Sequence, residues 1–466
     1  MPKQVLSSYL QRYAVANAEG WPISRGTFEH VLIVPVCDER CTLLDLVKRT
    51  RPWGPLLIIA VVNASASRES ALRARHRQWI DAHCDLGKAQ LLPGEPPRWH
   101  ITLPDGTTFL IVDHSTSPWV FPDTQGVGLA RRIGADIAAH LCQQGIVRTP
   151  WLATTDMDAR LPRDYWQALH ADTQERAVIA KIFRFWHAAL TVEATPAVIE
   201  AGRHYEIFLR YFTLGLHWAG SPYAFPTLGS CMAVHLRAYA QVRGFPKLRA
   251  GEDFYMLMKL AKIGAIHYSR SAPVLLAHRQ SNRTPFGTGR ALEQRLHQRL
   301  DTHSLPDPRI FGWLKQWQQA LPYFAAQSDC FDVHDWLQRN YPQQVAASLA
   351  QLLSSMGFAQ RLQGLHRDGS TLSVKQRRLG EWFDGFYARR FILHIQRTLG
   401  LEIPWINALR LAHFVPSAPG LACDSHGLKK WQMLLATHER EQITDQHCGL
   451  CCHTFSQQTE HTSSFV

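Results

Sequence analysis

Val31-Leu-Ile-Val-Pro-Val36 is an unbroken apolar run of strand length, followed at once by Cys37, Asp38 and Glu39. A run without polar alternation is expected of a strand covered on both faces, as in a parallel sheet. Residues 41–51 then offer Leu43, Leu44, Leu46 and Val47 to the apolar side of a helix, and after Pro55 comes a second buried run, Leu56-Leu-Ile-Ile-Ala-Val-Val62. This is the pattern of a βαβ unit. A right-handed crossover puts the C-terminal ends of both strands on one sheet edge, so Glu39 and the loop Asn63-Ala-Ser-Ala-Ser67 are expected to meet at a ligand crevice.

A third strand is expected in Trp151-Leu-Ala-Thr-Thr-Asp-Met-Asp-Ala-Arg-Leu-Pro-Arg163, which carries Asp156 and Asp158 before a helix that starts at Pro162. Residues two apart in an extended segment point the same way, so these carboxylates can converge on one hard divalent cation, Mn²⁺ or Mg²⁺, which would in turn hold a diphosphate. A single Asp-x-Asp also arises by chance as a solvated turn, so the neighbouring segments decide its meaning.

Four of them are informative. Gly126-Val-Gly-Leu-Ala-Arg131-Arg132 opens a helix with Leu129, Ile133 and Ile137 on its apolar side and two arginines in its first turns, where a phosphate can be met. In the stretch 227–246, Gly229 and Ser230 permit close backbone approach and Gly244 suits a helix stop. Glu252 and Asp253 begin an amphipathic helix that stops at Gly264, a position where carboxylates also serve ordinary dipole stabilisation. Leu275-Leu-Ala-His278-Arg279 starts as a strand and runs into a loop of cations, hydroxyls and glycines that includes Arg283.

Taken in order, these segments over residues 30–290 resemble the family 2 glycosyltransferases of the GT-A fold. The resemblance implies a Rossmann-like, mostly parallel mixed sheet flanked by helices. It implies that Asp38, Glu39, Asn63, Ser65, Arg131 and Asp156 contact a nucleotide-sugar, with Arg279 and Arg283 over the diphosphate. It further implies a metal at Asp156 and Asp158 with His278 as third ligand. Asp253 would be the base that deprotonates an acceptor hydroxyl, with Glu252 as an acceptor contact or helper. Val62-Asn63 stands where many members have paired aspartates, so uracil and guanine both stay open. No Gln-x-x-Arg-Trp of processive synthases is present, which favours transfer of a single sugar, with inversion expected. A retaining transferase and a degenerate binding or scaffold module are the alternatives. Nucleotidyl transfer would need a Gly-rich basic loop after the first strand, and Val36-Cys-Asp-Glu39 is not one.

The 466 residues suit two domains, expected at 1–290 and 291–445, the second mainly helical, with a flexible tail at 446–466. A net charge of +12 points to anionic partners, and the absence of a long Lys/Arg block argues against nucleic acid. The acceptor is open among glycans, lipid-linked glycans and small molecules. No run reaches the ~18–20 apolar residues of a membrane span, so a cytoplasmic protein is expected. Basic, aromatic Lys375–Arg397 could touch a membrane face or a lipid-linked acceptor, but packing on the first domain is the plainer reading. Residues 1–28 read as a helical lead-in or strap, 174–220 as helical and aromatic, and Trp99–Leu103 with Thr107–Val112 as a hairpin. The ten cysteines suggest no disulfide framework, and His447-Cys-Gly-Leu-Cys-Cys-His453 lacks a second ligand pair for zinc.

Overall fold

The computed structural model describes residues 2–16, 27–50, 52–171, 178–191, 194–269, 271–279, 293, 295–296, 303–327, 332–422, 424–443 and 447–448. Its centre is β1 (His30–Val36), which runs parallel to β2 (Leu56–Asn63) on one side, with Val36 opposite Val62. On its other side β1 is parallel to β6 (Trp151–Thr154), with Leu32 opposite Ala153. Every residue of β1 and β2 is buried, as their continuous apolar runs require. Val31 and Ile33 enter the core on one face of the sheet while Leu32 and Val34 enter the core on the other, the period-2 consequence of a strand covered on both sides.

β2 is extended in parallel by β5 (Thr108–His114), and the antiparallel β4 (Arg98–Thr102) and β3 (Lys88–Leu92) complete that edge. The expected hairpin is present as β4 and β5, with β3 added outside it. On the far side of β6 lie β10 (Met232–His235), β8 (Val178–Ile182) and β11 (Ala265–Tyr268), in that order. A second sheet orders β7 (Ala159–Arg160), β12 (Val274–Ala277) and β9 (Phe185–Ala188), with β12 in the middle.

The helices of this half are α1 (Pro2–Arg12), α2 (Leu43–Val47), α3 (Glu69–Cys84), α4 (Val127–Gln143), α5 (Tyr165–His170), α6 (Pro196–Trp218), α7 (Leu236–Gln241) and α8 (Glu252–Ala261). The start of α2 is set by a reciprocal cap between Thr42 and Asp45. The start of α6 is set by Thr195 with Pro196 at its first position. The helical reading of 174–220 is corrected: among its described residues β8 and β9 come first, and the helix is Pro196–Trp218. Val178-Ile-Ala-Lys-Ile182 is too short to show a helical or strand period by itself, and pairing with β10 and β11 decides its state. α1 does act as a strap, because Tyr9 Oη donates to Asp136 Oδ1 of α4 at 2.5 Å and Val15 N–H donates to Oδ2 at 2.8 Å.

The remaining described chain is mainly helical, with segments such as Arg309–Ala326, Gln343–Ser355 and Gly385–Leu399. Its apolar core is continuous with one face of the large sheet. Helix Ser425–Gln442 returns to α6, where Glu439 pairs with Arg210, Arg210 Nε donates to Glu206 Oε1 at 3.0 Å, and Gln432 Nε2 donates to Glu206 Oε2 at 2.9 Å. All four side chains are buried. β13 (Ser304–Pro306) pairs with β14 (Glu402–Pro404), and β15 (His447–Cys448) adds to the sheet beside β11. The rest of the stretch 446–466 lies outside the described residues. Among the described residues no helix is long and apolar enough to cross a membrane.

Candidate functional site

A cleft of about 960 Å³ opens at the C-terminal ends of β1, β2 and β6, where strand order and right-handed connection predict a crevice. Glu39, Asn63, Ser65, Arg131, Asp156, Asp158, Glu252, Asp253 and Arg279 all line it. These residues come from segments spread over more than 200 positions of chain, so the sheet edge is what gathers them.

Arg131 organises the cleft floor. It sits in the first turns of α4, is 2 % exposed, and forms ion pairs with both Asp156 and Glu252. Gly229 makes this possible, since a Cβ there would overlap the Arg131 guanidinium. Thr154 Oγ1 donates to the Gly229 carbonyl at 2.6 Å, tying that turn to the end of β6, and Ser230 Oγ donates to Asp156 Oδ2. Asp253 lies in the first turn of α8, where it accepts from Gly229 N–H on Oδ2 at 2.8 Å and from Phe254 N–H on Oδ1 at 2.7 Å. Gly251 in the left-handed region (φ 78°) turns the chain into that helix.

Arg279 forms the second bridge. Its Nη1 lies 2.7 Å from Glu39 Oε2 and its Nη2 lies 3.1 Å from Asp158 Oδ2, so one guanidinium joins the end of β1 to the Asp-x-Asp loop. Burial pushes the Glu39 carboxyl up to about 8 against the opposing pull of Arg279. Burial likewise raises Asp158 against the pull of Arg279, and Glu252 to about 7 against that of Arg131. The Asp253 carboxyl is raised by the same cause, also against Arg131.

Other expected residues lie outside the cleft or are engaged in other bonds. Asp38, with φ 56°, does not line the cleft; it pairs with Arg75 of α3 at 3.0 Å, and its N–H donates to His76 Nε2. Asn63 reaches the cleft, but its amide is committed to the Val36 and Val61 carbonyls, which makes it a strand-end tie. Arg132 is likewise structural, donating to the carbonyls of Phe245 and Tyr13. His278 is buried against Gly202 of α6, its ring 5.8 Å from that of His187, and it does not line the cleft. Burial holds its imidazole down to about 4. Arg283 lies outside the described residues.

Several lining residues were not singled out from sequence for this role. His187 of β9 reaches the cleft with Nδ1 3.0 Å from Glu206 Oε2. Arg68 lies at the start of α3. Phe386, Arg389, Arg390 and Leu393 project from helix Gly385–Leu399, which buries Phe391, Ile392 and Ile395 in the core and turns its other side to the cleft. The basic, aromatic character of Lys375–Arg397 was the one available signal.

Among the described residues no cluster of three or more His, Cys, Asp or Glu side chains is placed to hold a metal ion by protein ligands alone. The donor chemistry nevertheless fits a divalent cation bound through one or two carboxylates, with phosphate and water completing its shell. Among the described residues Asp156 and Glu252 pair with Arg131, Glu39 and Asp158 pair with Arg279, and Asp253 accepts from backbone N–H groups, and a gathering of five carboxylates is the kind of site a hard cation relieves.

No protein-family model matches the chain, and no curated protein matches it. Among solved structures the chain is similar to S. aureus TarS 1-349 in complex with UDP-GlcNAc, at 11% identity and a TM-score of 0.31, covering 76% of this chain and 91% of that one. It is also similar to the mannosyltransferase PcManGT from Pyrobaculum calidifontis in complex with GDP-Man and Mn²⁺, at 15% identity and a TM-score of 0.34, covering 82% and 97%. A third is GalNAc-T7 with UDP, GalNAc and Mn²⁺, at 11% identity and a TM-score of 0.30, covering 65% and 52%. These are distant likenesses, from which no activity is carried over.

Proposed function

We propose that this chain is a glycosyltransferase that binds a nucleotide-sugar in the cleft and transfers one sugar to an acceptor hydroxyl with inversion. One observation carries the reading. A single cleft at the ends of parallel strands is lined at once by the β1 and β2 loops, by Asp156 and Asp158, and by Asp253 from another element. A nucleotide, its diphosphate and an acceptor hydroxyl need these three kinds of group side by side.

In this reading Ser65 and Glu39 meet the nucleoside, and Asp156 and Asp158 would hold Mn²⁺ or Mg²⁺ together with the diphosphate. The bound cation would supply Lewis-acid stabilisation of the departing diphosphate. Asp253, with both oxygens steered by backbone N–H groups, takes the acceptor proton as the hydroxyl oxygen attacks the anomeric carbon. Arg131 holds Asp156 and Glu252 in place from below. Arg279 releases one of its two carboxylates to meet the leaving group.

The test is isothermal titration with UDP, GDP, CMP and dTDP, each with and without Mn²⁺. The expected result is binding by one base class, strengthened by the metal and at least tenfold weaker in Asp158→Ala. No binding by any nucleotide would contradict the reading and leave a non-catalytic module.

A further inference from the structure

Helix Gly385–Leu399 has two unlike sides. Ala388, Phe391, Ile392 and Ile395 are buried, while Phe386, Arg389, Arg390, Leu393 and Arg397 recur at steps of three and four residues and so share the other side. α8 is built in the same way: Met256, Leu257 and Leu260 are buried, and Tyr255 and Lys259, one turn apart, are exposed. Three contacts join α8 to the start of the longer helix. Lys262 Nζ donates to Asp384 Oδ2 at 2.6 Å, a Cβ on Gly385 would overlap the Met258 sulfur, and the ring centroids of Tyr255 and Phe386 lie 6.3 Å apart. The joined surface shows both rings to solvent, each 41 % exposed. Cations flank them, Lys259 one turn on from Tyr255 and Arg390 one turn on from Phe386. Both rings, with Arg389 and Arg390, also line the cleft, so the surface surrounds part of its mouth. Partial burial and then the like charges of Arg132 and Arg243 hold the Lys259 ammonium below the usual lysine range, a crowding of cations that an anion would relieve.

Exposed rings flanked by long cationic side chains fit the boundary of an anionic bilayer, where the rings enter between headgroups and acyl chains and the cations reach lipid phosphates. We infer that this surface docks the protein on an anionic membrane, with Tyr255 and Phe386 inserted and Lys259, Arg389, Arg390 and Arg397 at the headgroups. Each cation near such a surface strengthens binding about fivefold, so the set gives reversible attachment. A soluble acidic partner would engage the cations but not the rings, and it is the alternative that the experiment separates. The docking stands whether or not the cleft transfers a sugar. With transfer, the acceptor enters the cleft from the membrane plane.

The experiment sediments the full chain with vesicles of phosphatidylcholine alone and of phosphatidylcholine mixed with phosphatidylglycerol, at low and at high salt. Polyaspartate, a soluble polyanion, is titrated separately by tryptophan fluorescence. The expected result is binding to the mixed vesicles about tenfold or more tighter than to phosphatidylcholine, and weakened by salt. Lys259→Gln/Arg390→Gln should weaken that binding about tenfold or more, and Tyr255→Ser/Phe386→Ser about fivefold or more. All four side chains are exposed, so each double variant is expected to keep the wild-type melting temperature, and either one alone is decisive. Arg73→Gln/Arg77→Gln removes the same charge from the exposed side of α3 and should bind as the wild type does. Binding to neither kind of vesicle overturns the assignment, as does a variant of the docking surface that binds like the wild type. An equal loss from the α3 variant overturns it too, because net charge alone would then explain the binding. Binding of polyaspartate without binding of vesicles also overturns it and points to an acidic protein.

Discussion

The amide of Gly229 donates to Oδ2 of Asp253 at 2.8 Å. The same glycine, by lacking a Cβ, leaves room for the guanidinium of Arg131. One turn therefore orients the proposed base and admits the cation that fixes Asp156 and Glu252, so the two halves of the proposed chemistry share one backbone position.

Gly229→Ala tests that sharing. The added methyl meets a guanidinium that is itself held at both ends, so it cannot simply swing away. Overpacking of this kind costs about 1–3 kcal/mol. Urea denaturation should show a loss in that range, with nucleotide affinity falling in the same variant.

Arg131→Ala should cost more. Glu252 is 1 % exposed and loses its partner, and leaving one member of a buried pair alone costs about 3–5 kcal/mol. Arg131→Ala/Glu252→Gln should recover part of the loss, because the unpaired charge is gone. Equal unfolding midpoints for Arg131→Ala and wild type would contradict the bridging role.

The parts of the site legible in the sequence are those whose chemistry is local. Asp156, Asp158, Glu252 and Asp253 stand at the ends of a strand or at the start of a helix, and these ends come to one sheet edge by the connection rules alone. β1, β2 and α4 were readable because their apolar patterns are long. β8 and β9 were not, since Val178–Ile182 and Phe185–Ala188 take their state from neighbours far along the chain. Helix Gly385–Leu399 could be recognised as helical but not as a cleft wall, because what places it there is the core formed by Phe391, Ile392 and Ile395. His278 shows the converse: it has the residue type of a ligand, but packing against Gly202 turns its ring away from the cleft lining.

The Glu206–Arg210–Glu439 network should control how firmly the final helix is held. Glu439→Ala removes one of the two carboxylates that pair with Arg210, all of them buried. Arg210 keeps Glu206, so the loss is that of one buried charge-assisted hydrogen bond, about 1–3 kcal/mol. Limited proteolysis should then cut near Ser425–Gln442 earlier than in the wild type, and an unchanged pattern would show that this helix is held by its apolar side alone.

Buried histidines predict the acid limb of stability. Burial holds His30 down to about 4, His204 to about 2 and His303 to about 4, the His204 and His303 rings lying 4.1 Å apart with Arg295 close enough to disfavour charge on both. In the unfolded chain each titrates near 6.5, so from about pH 6.5 down to 4 the unfolded state binds more protons than the folded state. Their stability contribution is complete above that range and is lost as pH falls through it, by up to about 1.4 kcal/mol per pH unit per histidine. Glu39 and Glu252, raised in the fold, act in the opposite sense as pH rises. Comparing His204→Phe with wild type in urea at pH 7.5, 6.0 and 5.0 separates the two, and the variant should show the shallower loss.

Donor turnover by Asp253→Asn tests the central claim most directly. The change keeps the side-chain shape and an oxygen for the Gly229 amide, and it removes the ability to take a proton. The panel would be nucleotide-sugars with Mn²⁺, read by nucleotide release in the presence of acceptor, alongside nucleotide titration. The account predicts a wild type that turns over one donor class and an Asp253→Asn variant that binds the same nucleotide within about twofold but is slowed by 10²-fold or more, the order expected for losing a general base. Equal turnover by both proteins would contradict the assignment of Asp253, and a wild type that turns over no donor would contradict the glycosyltransferase reading itself.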